Sequence, residues 1–239
     1  MKSWTRTLNL DDAHSLLALA EPGLKQKDWV RDCHKALPHL SVARRREVIR
    51  ILRDGFLEWT RDNCIADALF LRTYSHSPAT AQIDLVHHQW ALSHDITLLA
   101  VEALVGPALL ASDDAIQLEQ VEDVVAQHIQ TDSAESLRKT RTVLLGAMEG
   151  IGTIEARGTG QHRSLRGRRG SPHPVAFTYL VLRELQQRGA DGMMSSEVRE
   201  SSLPVRLTQC TPQHAETCIA WGLKAGLLTD RGDEIGPSA

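Results

Sequence analysis

The chain has 239 residues, with 27 Lys and Arg against 30 Asp and Glu, a formal net charge of −3, and 42% hydrophobic residues. Those totals are those of an ordinary globular protein with one large domain or two to three small ones, and they exclude a disordered, collagen-like or disulfide-framework chain. Aromatic residues are only 4% of the chain, helix formers run in long stretches without period-2 alternation, and mainly helical structure is expected.

The N-terminal stretch MKSWTRTLNLDDAHSLLALAEPG has no apolar core of signal-peptide type, because Asp11, Asp12 and His14 interrupt it. The most apolar stretch, ITLLAVEALVGPALLA from Ile96 to Ala111, contains Glu102, Gly106 and Pro107 and falls short of the roughly 20 residues that a membrane span needs. It reads as a buried helix ending near Gly106. A soluble, cytoplasmic protein without a membrane partner is expected. Cys33, Cys64, Cys210 and Cys218 form no CxxC pair and read as reduced, mostly buried thiols.

Residues 1–130 read as a bundle of amphipathic helices. DDAHSLLALAE opens on an acidic cap and stops at Pro22-Gly23, and QKDWVRDCHKAL puts Trp29, Cys33 and Ala36 near one face. Ser41 caps VARRREVIRILRDGFLEWTRD. Its apolar stripe Val48, Ile49, Leu52, Phe56 and Trp59 leaves Arg44, Arg45, Arg46, Arg50 and Arg53 on the remaining surface. CIADALFLRTYS, ATAQIDLVHHQWALSHDITLLAVEALVG and IQLEQVEDVVAQHIQ continue the helical series.

Residues 131–160 differ. Thr131, Asp132 and Ser133 cap a basic helix running to about Glu149, and GIGTIEARGTG follows as a short β-capable piece between glycines. A basic helix followed by a short basic hairpin is the pattern of the recognition helix and wing of a winged helix-turn-helix. Residues 161–173, QHRSLRGRRGSPH, read as an Arg/Gly-rich linker, mobile or ordered only on binding. Residues 174–239 read as a C-terminal winged-helix-like module. It comprises helices in PVAFTYLVLRELQQRG, SSEVRESSLP and TPQHAETCIAWGLKAG, then a hairpin about Asp230-Arg231-Gly232-Asp233. RTVLLGAMEGIGTIEARGTG and AETCIAWGLKAGLLTDRGDE run alike, helix, glycine, apolar residues and charged turn, and suggest a weak internal repeat. The fold class expected is all-α, mainly a helical bundle, with winged-helix-like modules carrying short β-hairpins.

Positive charge is concentrated between residues 138 and 169, where eight cations face only Glu149 and Glu155, a local charge of +6. That lopsidedness points to a polyanion. Arg138, Lys139 and Arg141 fall on the N-terminal part of the helix, the part that enters a major groove in helix-turn-helix proteins. Arg157, Arg163, Arg166, Arg168 and Arg169 are candidates for flanking phosphates. The competing reading is a solvated charged helix face. Arg44 and Arg45 form a second candidate contact, for which a salt-bridged surface with Glu47, Asp54 and Glu58 is a serious rival. The last module carries only Lys224 on its corresponding helix, which argues for protein interaction or a structural role there.

Cys210, His214 and Cys218 lie four residues apart along one helical face, but Pro212 places Cys210 before the helix and no fourth ligand is evident. They read as core residues rather than zinc ligands. His87, His88, His94 and Asp95 likewise read as packing residues rather than as part of a metal phosphohydrolase centre. No GxxxxGKS/T loop, GxSxG or HExxH occurs, so no catalytic residue, metal or cofactor is assigned.

The order of an arginine-rich helix (SVARRREVIRILRDGFLEW), a central helix (IDLVHHQWALSHDITLLAVEALV) and a capped basic helix with a glycine-terminated wing (SAESLRKTRTVLLGAMEGIGTI) resembles the BrxA family of BREX phage-resistance systems over roughly residues 5–160. The resemblance implies a non-enzymatic, helical protein that binds double-stranded DNA beside a methyltransferase and an ATPase. Arg138, Lys139 and Arg141 would then be groove or phosphate contacts. A protein-interaction scaffold within a defence complex and an RNA-binding helical protein are the alternatives.

Overall fold

The computed structural model describes residues 8–111, 114–129, 133–157 and 164–238. Three helices open it: α1 (Leu10–Leu17), α2 (Gln26–Ala36) and α3 (Val42–Gly55). Asn9 caps α1, its Oδ1 accepting from the Asp12 amide at 3.1 Å, and Ser41 caps α3 through the Arg44 amide at 3.3 Å. Trp29 and Cys33 are fully buried, whereas Ala36 is exposed and Leu37 takes the core position beyond it. α3 stops at Gly55, before Phe56 and Trp59, and Trp59 Nε1 turns back onto the Arg53 carbonyl at 3.0 Å.

The apolar stretch expected as one central helix is broken and bent. α4 (Leu69–Ser75) leads to α5 (Ala79–Leu92), and the chain then turns by 91° into α6 (Asp95–Ala100). At the turn the Ser93 hydroxyl and His94 Nδ1 both reach the Trp90 carbonyl, at 2.7 and 2.8 Å. Such side-chain competition for a backbone acceptor favours leaving the helix. Nor does the helix end near Gly106. A π-helical turn, Val101–Val105, joins α6 to α7 (Gly106–Leu110), and the Gly106 amide reaches five residues back to the Val101 carbonyl. Pro107 supplies a reason, having no N–H to donate and a ring that crowds the carbonyl four residues earlier. Among the described residues no single helix is long and apolar enough to cross a membrane.

Two units of matching sheet order follow. In the first, the α6–α7 arm leads to strand β1 (Ala115–Ile116), helices α8 (Leu118–Ile129) and α9 (Ala134–Gly150), and strands β2 (Ile154–Arg157) and β3 (Ser164–Gly167). In the second, α10 (Pro174–Arg188) leads to β4 (Met193–Met194), helices α11 (Ser195–Glu200), α12 (Leu203–Thr208) and α13 (Pro212–Lys224), and strands β5 (Leu228–Asp230) and β6 (Glu234–Pro237). Each sheet is antiparallel with its last strand in the middle, in the orders β1-β3-β2 and β4-β6-β5.

The segment expected as a linker is therefore partly built into the fold. β3 is the central strand of the first sheet, with Leu165 buried and Arg166 outward as period-2 alternation requires. Beyond it, the Gly170 amide donates to the Thr208 carbonyl at 2.7 Å and the His173 amide to Asp84 Oδ2 at 2.7 Å. These bonds tie the segment to α12 and α5. α10 serves two cores. Val175, Ala176, Tyr179 and Leu180 join the large N-terminal core, while Phe177, Val181 and Leu185 join the smaller one with Ala215, Cys218 and Ile235. The last unit is thus packed onto the bundle.

Candidate nucleic-acid interface

α9 divides into two halves. Val143, Leu144, Leu145, Ala147 and Met148 anchor its C-terminal half in the core, whereas Ala134, Glu135, Ser136 and Arg138 in its N-terminal half are exposed. Ser133 caps the helix through the Ser136 amide at 3.4 Å. The chain leaves α9 through Gly152, whose φ of +73° needs glycine, and enters the β2–β3 hairpin directly. The unit thus presents an exposed helix end and an adjoining β2–β3 hairpin.

The cations are placed as follows. Arg138 is exposed. Lys139 pairs with Glu135 one turn back, at 2.5 Å, and this bond holds the Glu135 carboxyl below its ordinary range. Arg141 pairs with Glu122 of α8. Arg157 ends β2 opposite Ser164. Arg166 lies opposite Glu155 in the ladder and 3.5 Å from Asp114, and Arg168 lies 3.3 Å from Glu155. Arg169 donates to the Gln209 carbonyl at 3.4 Å. Arg163 lies outside the described residues.

Arg44 and Arg45 belong elsewhere, on α3, which packs chiefly on α1 and α2. Arg44 pairs with Glu47 at 3.0 Å with both side chains largely covered, and Arg45 donates to the His34 carbonyl of α2 at 2.9 Å. Both are engaged in helix packing.

Folding also changes the charge count. α8 packs alongside α9 and brings Glu119, Glu122 and Asp123 into the unit. Over residues 114–169 the sequence holds eight carboxylates and eight cations, a net charge of zero. The +6 therefore belongs to a window that began at Arg138, and the unit as a whole has no electropositive excess. The residues missed were the partners Asp114, Glu122 and Glu135. α8 carried the signal, because its buried Val121 and Val125 leave a carboxylate-rich outer face.

The second unit presents a different surface. The exposed face of α13 carries Gln213, Glu216, Thr217, Ala220 and Lys224. Its β5–β6 turn holds Asp230, Asp233 and Glu234 around a single Arg231, with Asp230 Oδ1 accepting from the Gly232 amide at 2.9 Å.

Cys210 and Cys218 are buried, and desolvation raises both thiols, Cys218 to about 12. His214 Nε2 bonds the Pro172 carbonyl at 2.9 Å and lies 3.5 Å from the Cys218 sulfur. His88 is fully buried on α5 with Nδ1 on the Asp84 carbonyl at 2.8 Å. Among the described residues no group of three or more His, Cys, Asp or Glu is arranged to hold a metal ion.

Comparison with family models, with curated proteins and with solved structures finds no match.

Proposed function

We propose that the chain is a non-enzymatic accessory protein that docks on duplex DNA, with residues 95–167 acting as a winged-helix unit whose α9 enters a groove while the β2–β3 hairpin follows the backbone. The observation that carries this reading is the succession of helical arm, β1, α8, α9, β2 and β3 with strand order β1-β3-β2, joined to an exposed, polar N-terminal half of α9. Arg138, Lys139, Arg141, Arg157, Arg163, Arg166 and Arg168 are the contacts, with Arg169 at the edge. Arg44 and Arg45 are left out, since they bind α2 and α3 partners.

The lack of an electropositive excess sets the mechanism. Exposed ion pairs are worth about 0–1 kcal/mol each, so phosphate can displace Glu135 from Lys139 or Asp114 from Arg166 at little cost. Binding then depends on shape and on exchange of carboxylate for phosphate, and its salt dependence is shallower than eight free cations would give. The resemblance to BrxA supports a place in phage defence beside a methyltransferase and an ATPase, in the cytoplasm. The last unit, with its acidic turn, serves protein contact.

A scaffold that meets a protein through the α8–α9 face is the second reading, favoured by the carboxylate partners of Lys139, Arg141, Arg166 and Arg168. Fluorescence anisotropy with random duplex DNA and RNA over a salt series separates the two. DNA docking predicts log K falling with log salt and tighter binding by Glu122→Gln, which releases Arg141. No binding to either polymer at low salt supports the scaffold, and tighter binding to RNA supports an RNA role.

A further inference from the structure

A pocket of about 440 Å3 opens between α4, α10 and the C-terminal part of α13, at the seam between the bundle and the last unit. Its size is that of a small-molecule site. Leu69, Val175, Leu182, Trp221 and Leu227 make the wall apolar. α10 contributes Val175, Thr178, Tyr179 and Leu182, an i, i+3, i+4, i+7 stripe facing α4. Leu227 remains 40% exposed, unusual for a large apolar residue beside a groove of this depth.

Three residues with polar side chains, Arg72, His76 and Thr178, are among those that line this apolar space. Arg72 stands on the rim with 58% of its side chain exposed, and Asp67, the one carboxylate in ion-pair range among the described residues, is 3.8 Å away, at the outer limit of an ion pair. The exposed His76 donates its Nδ1–H to the Arg72 carbonyl at 2.8 Å, which ties its ring to the Arg72 turn. Thr178 is buried to 1% exposure, and its hydroxyl has no hydrogen-bond partner among the described residues. Helix α13 passes close by, because a Cβ at Gly222 would come within 2.9 Å of that hydroxyl.

We propose that this pocket binds a hydrophobic monocarboxylate, a medium-length aliphatic acid, with its body against Leu182, Trp221 and Leu227 and its carboxylate on Arg72. One guanidinium suits a single negative charge. An apolar wall of this extent suits a hydrocarbon body and offers a sugar or nucleotide few partners. Because the ligand would touch α4 of the bundle together with α10 and α13, binding locks the two parts together and raises thermal stability. The site is separate from α9 and the β2–β3 hairpin.

The test is isothermal titration of the full-length protein with decanoate, decan-1-ol and decylamine, with thermal melts in parallel. The expected result is saturable one-to-one binding of decanoate, about tenfold weaker binding of decanol, and no binding of the amine. Arg72→Gln should weaken decanoate by about tenfold without changing decanol binding or the circular dichroism. Leu182→Trp should fill the pocket and abolish both. Equal binding of all three probes with Arg72→Gln silent, or no saturable decanoate binding, overturns the proposal. So does a concentration-dependent dimer in sedimentation that Leu227→Arg dissolves, because the groove is then covered by a second copy of the chain.

Discussion

Glu184 is a carboxylate only 6% exposed on α10, and its removal gives the sharpest stability prediction. One oxygen accepts from the Leu203 amide at 2.6 Å, at the first residue of α12, and the other pairs with Arg188 at 2.6 Å. Replacement by Ala leaves the buried Leu203 N–H without an acceptor, at about 1–3 kcal/mol, and removes a half-exposed ion pair worth up to about 1 kcal/mol. A loss of about 3 kcal/mol follows. In a chain of this size each kcal/mol lowers Tm by about 2–4 °C, so Glu184→Ala should melt about 6–12 °C below the parent. Glu184→Gln keeps an acceptor for Leu203 and gives up only the charge, so its loss should be about 1 kcal/mol. Urea unfolding followed by circular dichroism reads both. A Glu184→Ala protein within about 1 kcal/mol of the parent, or a Gln variant as damaged as the Ala variant, would refute the capping argument.

Two further predictions concern titration and thiols. Burial lowers the pKa of His14, His87 and His94, so the folded protein keeps these rings neutral where the unfolded chain protonates them below about 6.5. Stability is therefore full above that value and falls as pH drops toward the folded pKa values. His87 and His94 together contribute a slope of up to about 2.7 kcal/mol per pH unit, and the more exposed His14 adds less. Urea midpoints between pH 7.5 and 5 check this, and a flat profile contradicts it. Cys33, Cys210 and Cys218 are buried, and desolvation raises their thiols, so Cys64 alone should react quickly with a thiol reagent in the native protein. More than one fast equivalent would show that the core opens.

Local signals gave the helices well and long-range ones poorly. Ser41, Ser133 and Thr211 mark helix starts because a side-chain oxygen accepting an amide is a local arrangement, readable over three residues. The break at Ser93–His94 was illegible, since LVHHQWALSHDITLLA contains no Gly or Pro and the turn is set by which carbonyl the Ser93 and His94 side chains choose. Two-residue strands such as β1 and β4 carry no periodicity and exist through pairing with β3 and β6. The arginine-rich stretch about Ser164 read as a linker because Leu165 is its one apolar residue, and that residue is the one the sheet buries. The candidate interface cations were picked out by charge alone. Their partners were not, because Glu122 and Asp114 meet Arg141 and Arg166 only when α8 and β1 fold against α9 and β3.

Replacing Arg138, Lys139 and Arg141 by Ala together, and measuring duplex-DNA affinity from low to moderate salt, tests the proposed docking most directly. The account predicts weaker binding at every salt concentration and a salt slope shallower by up to about three. A triple variant with the parent's affinity and slope would place any DNA contact away from α9 and contradict it.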